Sequence, residues 1–235
     1  MSASSLPGDD RGDFADALTR LTTADPGDDL CGAFVGAIGV SGAVISTLGQ
    51  PLGSQTICAT SNVAARIDEI QIDLGEGPCW EALRTRLPVL EPDLQGSGGS
   101  GWPGARAALR ALDIGALFAF PLYVGDLSVG SVDLYSEDSR LLSQRAVEDA
   151  TVLASVASRH LLRRALDDVE NDEAGIADGP YSRREIYQAS GMVAAQLSIS
   201  VDDALLILRG RAFSTDRSVG EIAADVVARR LNFNH

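Results

Sequence analysis

The side chains best suited to chemistry in this chain are arginines, and they are unevenly placed. Arg183, Arg184, Arg209, Arg211, Arg217, Arg229 and Arg230 fall after residue 180, seven bases against six acids, a net of +1. The rest of the chain holds 12 basic and 27 acidic residues, a net of -15 out of the overall -14. Such a split places a polyanion-seeking end on a body that repels non-specific polyanions. Arg229 and Arg230 sit in a last helical turn, where cations offset the negative helix end. Arg183 and Arg184 sit near a helix start, where the dipole does not favour them, which points to an external anion. Arg209, Arg211 and Arg217 cluster around an expected turn. There is no lysine, hence no phosphate loop of the GxxxxGK[ST] kind. The two histidines, His160 and His235, have no Cys, Asp or Glu partner at metal-ligand spacing. No nucleophile-base or metal constellation stands out, so the expectation is a non-enzyme without a metal site, and the sequence identifies no cofactor.

Three short helices must carry those arginines. Ser182 precedes a run with Ile186, Ala189, Val193 and Leu197 on one face. Ser200 opens a second run through Ala204, Leu205, Leu208 and Phe213, and Ser218 a third through Ile222, Val226 and Val227. Ser200-x-x-Asp203 and Ser218-x-x-Glu221 both have the capping-box shape. So small a unit buries little surface, which suggests retention for binding.

Gln188-Ala189-Ser190-Gly191-Met192-Val193, Asp202-Asp203-Ala204, Leu208-Arg209 and Asp216-Arg217-Ser218-Val219 with Ile222-Ala223 resemble the ANTAR domain. That family supplies RNA-binding output domains to bacterial antitermination regulators. It usually has Ala-Lys-Gly where this chain reads Ala189-Ser190-Gly191, and two adjacent arginines where this chain reads Arg209-Gly210-Arg211. The resemblance implies an RNA hairpin as partner, with Ala189, Ser190, Gly191 and Arg209 facing it. Arg211, Arg217, Arg183 and Arg184 complete the expected RNA-binding set, reaching phosphates or a splayed loop base.

The chain of 235 residues is long enough for one ordinary domain and a small one, with 45% hydrophobic content for a core. No apolar run reaches the roughly 18 residues needed to span a bilayer. The start, MSASSLPGDDRGDF, lacks the form of a signal peptide, so no membrane and a cytoplasmic setting are expected. Cys31, Cys58 and Cys79 are an odd number at wide spacing, which gives no disulfide framework, so buried free thiols are expected.

Along the first 180 residues, helical spacing at Phe14, Ala17, Leu18 and Leu21 is followed by a second helix near Asp29 to Ala37. Strands are expected at 43–48 and 55–61 as a hairpin, at 88–90, and as a late pair at 116–124 and 129–135 around Gly125-Asp126. Helices fill 63–71 and 105–112, with another started by Pro78, and residues 95–101 read as a flexible loop. Gly75-Glu76-Gly77-Pro78 could hold an anion at its helix start, but a turn into a Pro-started helix accounts for it. Gly75-Glu76-Gly77-Pro78-Cys79, Phe120-Pro121-Leu122 with Gly125, and Gly130-Ser131-Val132-Asp133-Leu134-Tyr135 resemble a GAF domain. The resemblance implies an α+β fold, an antiparallel sheet with covering helices, and a sensor pocket between sheet and helices. Candidates to face a small-molecule ligand there are Cys58, Cys79, Trp80, Trp102, Phe118, Phe120 and Tyr123, with core filling the competing role for each. Cys79, near a helix start, is also a candidate redox-sensing thiol.

Between the two parts, Val147, Ala150, Leu153, Ala154, Val156, Ala157, Leu161, Leu162 and Leu166 give an apolar face broad enough for sheet and partner alike. A connector helix that forms a homodimer is expected, with a terminal core helix of a monomer as the alternative. The expected organisation is a disordered start at 1–11, a GAF-like sensor with connector at 12–166, an acidic linker at 167–180 and an ANTAR-like domain at 181–235. Two functional readings follow. In one, a small-molecule or redox signal sensed by the first domain governs RNA-hairpin binding that prevents terminator formation. In the other, the helical tail docks a protein partner and binds no RNA.

Overall fold

The computed structural model describes residues 9–25, 28–49, 52–96, 101–170, 183–215 and 217–233. Residues 97–100 of the expected 95–101 loop, 1–8 of the expected disordered start and 171–180 of the expected linker, with Ser182, Asp216 and His235, lie outside these residues. The chain divides into two compact units, residues 1–174 and 175–235.

The first unit runs α1 (Asp9–Thr23), α2 (Cys31–Ile38), β1 (Gly42–Thr47), β2 (Gln55–Ala59), α3 (Asn62–Leu74) and α4 (Pro78–Thr85). It continues with β3 (Val89–Glu91), α5 (Pro103–Arg110), β4 (Ala116–Val124), β5 (Leu127–Ser136) and α6 (Gln144–Glu170). The strands form one sheet in the order β2-β1-β5-β4-β3, and every neighbouring pair is antiparallel. Alternation along the strands separates two faces. Ala43, Ile45, Phe118, Phe120, Val132 and Leu134 pack beneath α1, α2 and α6, joined by Ala150, Leu153, Ala157 and Leu161. Val44, Leu117 and Tyr135 face the other way, against Ile67 and Ile70 of α3 and Leu109 of α5.

Local chemistry fixes the ends of these elements. The Ser61 side chain accepts from the Ala64 amide at the start of α3, and Gly75, at φ 67°, closes it. Pro78 opens α4, as its fixed φ favours. Glu76 Oε1 accepts from the amides of Gly104 and Ala105 and so caps α5 across the domain. The Gly-Glu-Gly-Pro run is therefore a helix stop, a remote cap and a helix start.

The thiol expectation is corrected. Cys31 and Cys58 form a disulfide, with Cα atoms 6.1 Å apart, and Cys79 alone remains a free, buried thiol. A separation of 27 residues hides the pair in sequence, because the body of α2, strand β1 and most of β2 lie between the cysteines before packing brings the start of α2 beside edge strand β2.

The second unit is α7 (Arg184–Leu197), α8 (Val201–Ser214) and α9 (Val219–Val227), closed over Ile186, Ala189, Val193, Ala204, Leu208, Val219, Ile222 and Val226. Ser218 and Glu221 form the full reciprocal capping box. At Ser200 only half is present: its hydroxyl accepts from the Asp203 amide and donates to the Asp203 carboxylate.

The tightest backbone approach lies between β1 and β5. A Cβ built on Gly130 would stand 1.9 Å from the Ser46 carbonyl oxygen. Gly130→Ala is therefore expected to destabilise the protein by at least about 2 kcal/mol through forced strand separation. Urea unfolding at constant m-value checks this, and a midpoint unchanged from wild type would refute the packing account.

Candidate functional site

The helix-covered face carrying α3 and α4 holds a buried polar cluster. Asp133 of β5 accepts from Ser131 Oγ at 2.7 Å and from Gln71 Nε2 at 2.5 Å. Gln71 Oε1 in turn accepts from the Cys79 amide at 2.9 Å, and its backbone carbonyl accepts from the Trp80 indole at 2.8 Å. Asp68, one turn earlier on α3, accepts from Thr56 Oγ1 at 2.5 Å. Asp68, Gln71 and Asp133 are all buried. Burial pushes the Asp133 carboxyl up to about 7, the Asp68 charge adds to the rise, and the Ser131 and Gln71 hydrogen bonds oppose it. The same burial, with Asp133 and Asp68 nearby, drives the Cys79 thiol well above its ordinary value. Cys79 is thus held as a neutral thiol, unsuited to the reactive role expected of it.

Of the seven expected pocket residues, four lie on this face. Cys79 and Trp80 belong to α4 beside the cluster. Trp102, at φ 49°, precedes α5 with the Arg106 guanidinium 5.6 Å from its ring. Tyr123 donates to the Leu83 carbonyl and lies under Arg86, 4.7 Å from the ring centre. Phe118 and Phe120 instead point to the opposite face, into the core under α1, α2 and α6. Cys58 packs against that same core and is tied up in the disulfide. Period-two alternation explains the division: Phe118 and Phe120 share a face with each other but not with Leu117. Asp133, Gln71 and Asp68 were missed, since an acid inside a strand gives no sign of its burial until the covering helix is placed.

In the second unit the expected RNA-binding set also divides. Ala189 and Ser190 are buried at 0% exposure, and the Ser190 hydroxyl donates to the Ile186 carbonyl at 2.8 Å. These two side chains are withdrawn from the expected interface, because they lie three and four residues after Ile186 on its buried face. Arg183 is buried as well. Gly191 is exposed, with open space where a Cβ would stand. Arg184, Arg211 and Arg217 are exposed and Arg209 is half-buried. Arg217 donates to Asp225 at 2.7 Å, as does Arg230, and both hold the Asp225 carboxyl below its ordinary value.

Phe213 was expected among the buried residues of α8, yet it is 78% exposed. Leu206, one face-repeat earlier, is 60% exposed. Position decides this: Ala204, Leu208 and Ala212 define the inner stripe, and Phe213 lies off it, one helical turn beyond Arg209. The signal available in the sequence was that α8 has apolar residues around its whole circumference, more than one core can take.

Residues 181–227 match the ANTAR domain family. Among solved structures, the chain is similar to the GAF domain of an Acinetobacter phosphoenolpyruvate-protein phosphotransferase, at 10% identity and TM-score 0.51, over 69% of this chain and 97% of that one. It is also similar to the chromophore-binding domain of a bacteriophytochrome from R. palustris, at 14% identity and TM-score 0.52, over 72% and 64%. A phytochrome photosensory core module from Stigmatella aurantiaca gives TM-score 0.52 at 15% identity, over 87% and 45%. No curated protein matches the chain. At these identities the structural likeness concerns fold. Together with the family match, it defines a GAF plus ANTAR architecture.

The raised Asp133 carboxyl yields a pH prediction. A folded-state value of about 7 against an ordinary 3.8 means that the native state binds the proton more tightly. This group's contribution is full below the ordinary value and is lost as pH rises through about 7. Wild type minus Asp133→Asn stability, from urea midpoints, should therefore fall between pH 5 and pH 8. A flat difference would show that Asp133 does not carry the proton.

Proposed function

We propose that this protein is a signal-responsive, non-catalytic antitermination regulator. The first unit senses a small-molecule or redox signal, and the second binds RNA hairpins and so prevents terminator formation. The observation that carries the RNA half is the outer face of α8 within the ANTAR match. There an exposed Phe213 lies one turn from Arg209, beside an uncluttered Gly210. An aromatic ring with a neighbouring guanidinium suits an unpaired loop base, since stacking and cation–π contact serve any base. Exposed Arg184 and Arg211 supply phosphate contacts, and bare Gly191 permits close backbone approach.

Two further parts of the reading concern assembly and place. The 27-residue α6 keeps Val152 and Leu166 exposed, at 46% and 57%, on a side away from its sheet contacts, which favours a homodimer through that helix. No single helix among the described residues is long and apolar enough to cross a membrane. Action in the cytoplasm, where a transcript is made, belongs to the same proposal.

A second reading has its own support. Leu206 and Phe213 leave an apolar outer face on α8, and Asp225 neutralises two of the arginines, which suits a protein-docking tail. A gel shift of the full protein with the leader RNA of its own operon, run across salt, separates the two. RNA binding is expected at low salt, with Phe213→Ala weakening it about tenfold or more. Arg211→Ala should reduce the slope of log affinity against log salt by about 0.7. Absence of binding at low salt, in every oligomeric form, would overturn the RNA reading.

A further inference from the structure

The Cys31–Cys58 disulfide plays no part in the buried polar cluster or in α7 to α9. It joins the first residue of α2 to the edge strand β2, and the two residues differ in access: Cys31 is fully buried and Cys58 half-buried. Asp29 Oδ1 accepts from the amides of Cys31 and Gly32, and a carboxylate oxygen of Asp29 lies within 4.8 Å of both sulfur atoms. Asp29 also lines a surface cleft of about 300 Å³, together with Arg20, Ala24, Asp28 and Ala33. The disulfide thus joins a buried to a half-buried cysteine, beside a charged group that also lines a surface cleft. Helix α2 packs on α1, β1 and α6, so its tether acts on the helix that leads out of the domain.

We propose that Cys31–Cys58 is a thiol–disulfide exchange site and that its redox state sets the packing of α2 against α6. This rests on the sensor reading above and assigns its signal to the thiol–disulfide balance. In the forward step a low-molecular-weight thiolate attacks Sγ of Cys58, the less buried of the two cysteines. The S–S bond breaks, its electron pair leaves on Cys31 Sγ, and a mixed disulfide forms on Cys58. A second thiol attacks that mixed disulfide, releasing the Cys58 thiol and the disulfide of the reductant. Two thiols are oxidised and the protein disulfide is reduced to two thiols, and the reverse uses the small disulfide as oxidant. Cys31 leaves at the positive end of α2, which favours its thiolate, while the Asp29 carboxylate opposes it. Cys79 takes no part, being buried and held neutral on the other face.

The test is equilibration of the native full-length protein in glutathione buffers of graded ratio, with acid quench, alkylation and peptide mass spectrometry. Cys31 and Cys58 should convert together and reversibly without denaturant, while Cys79 stays reduced throughout. Asp29→Asn keeps the capping oxygen but removes the charge, and it should speed reduction several-fold. Hydrogen exchange of the two redox forms should show faster exchange in α2, β2 and α6 on reduction. Reduction only in denaturant, or protection changes confined to α2 and β2, would overturn the proposal and leave a structural staple. Both readouts are independent of RNA. If exchange in α6 changes while RNA affinity does not, the redox site stands and the coupling to output in the regulator reading fails.

Discussion

One buried amide holds the α3 and α4 face of the sheet together. Gln71 has both ends of its side chain committed, donating to Asp133 in the sheet and accepting from the Cys79 amide at the start of α4. Its own carbonyl receives the Trp80 indole. Three elements, α3, β5 and α4, are thereby tied at a single residue with no exposure. The arrangement also dictates its neighbour: a Cβ on Gly77, already at φ 139°, would stand 2.6 Å from Gln71 Oε1. A buried amide that lost either partner would leave an unsatisfied polar group costing about 1–3 kcal/mol. The polar cluster therefore constrains the helices as firmly as the apolar core beneath them, and a proton on Asp133 alters that constraint.

The two faces of the sheet do different things. On the α3 side, polar groups with perturbed protonation sit beside filled apolar volume: Ile67, Leu109 and Leu117 are fully buried. On the other side the contacts are apolar and continuous from α1 and α2 to α6. Aromatic weight belongs to this second face through Phe34, Phe118 and Phe120. The disulfide ties this α1, α2 and α6 layer to the edge strand β2.

Much of this was legible in the chain itself. The helical and strand periods, the Ser218 capping box, the Pro78 start and the late hairpin all follow from local rules, and the structure has them. The two domain resemblances rested on motifs spread along the chain, and the fold and the family match agree with them. What local rules could not supply was pairing across long separations. Asp133 and Gln71 are 62 residues apart, and the paired cysteines 27. Nor does a motif say which way its residues point. Ala189-Ser190-Gly191 reads as one patch, but the helix turns the first two inward and only Gly191 outward.

That last point changes what the composition of the tail means. A lysine is usual at the Ser190 position, and the net charge of the tail is only +1. Ser190 is buried and its hydroxyl is satisfied within α7, so the serine itself offers nothing to a partner. The net charge also misleads, because charges are not spread evenly. Asp225 is spent on Arg217 and Arg230, and Asp202 and Asp203 sit in the first turn of α8, where they complement its positive end. Arg209 and Arg211 lie toward the other end of that helix, and Arg209 is one turn from the exposed Phe213. The acids of α8 thus lie at its start and its arginines in its second half. Recognition by a ring and a few guanidiniums would depend on where those charges lie, not on a basic domain average.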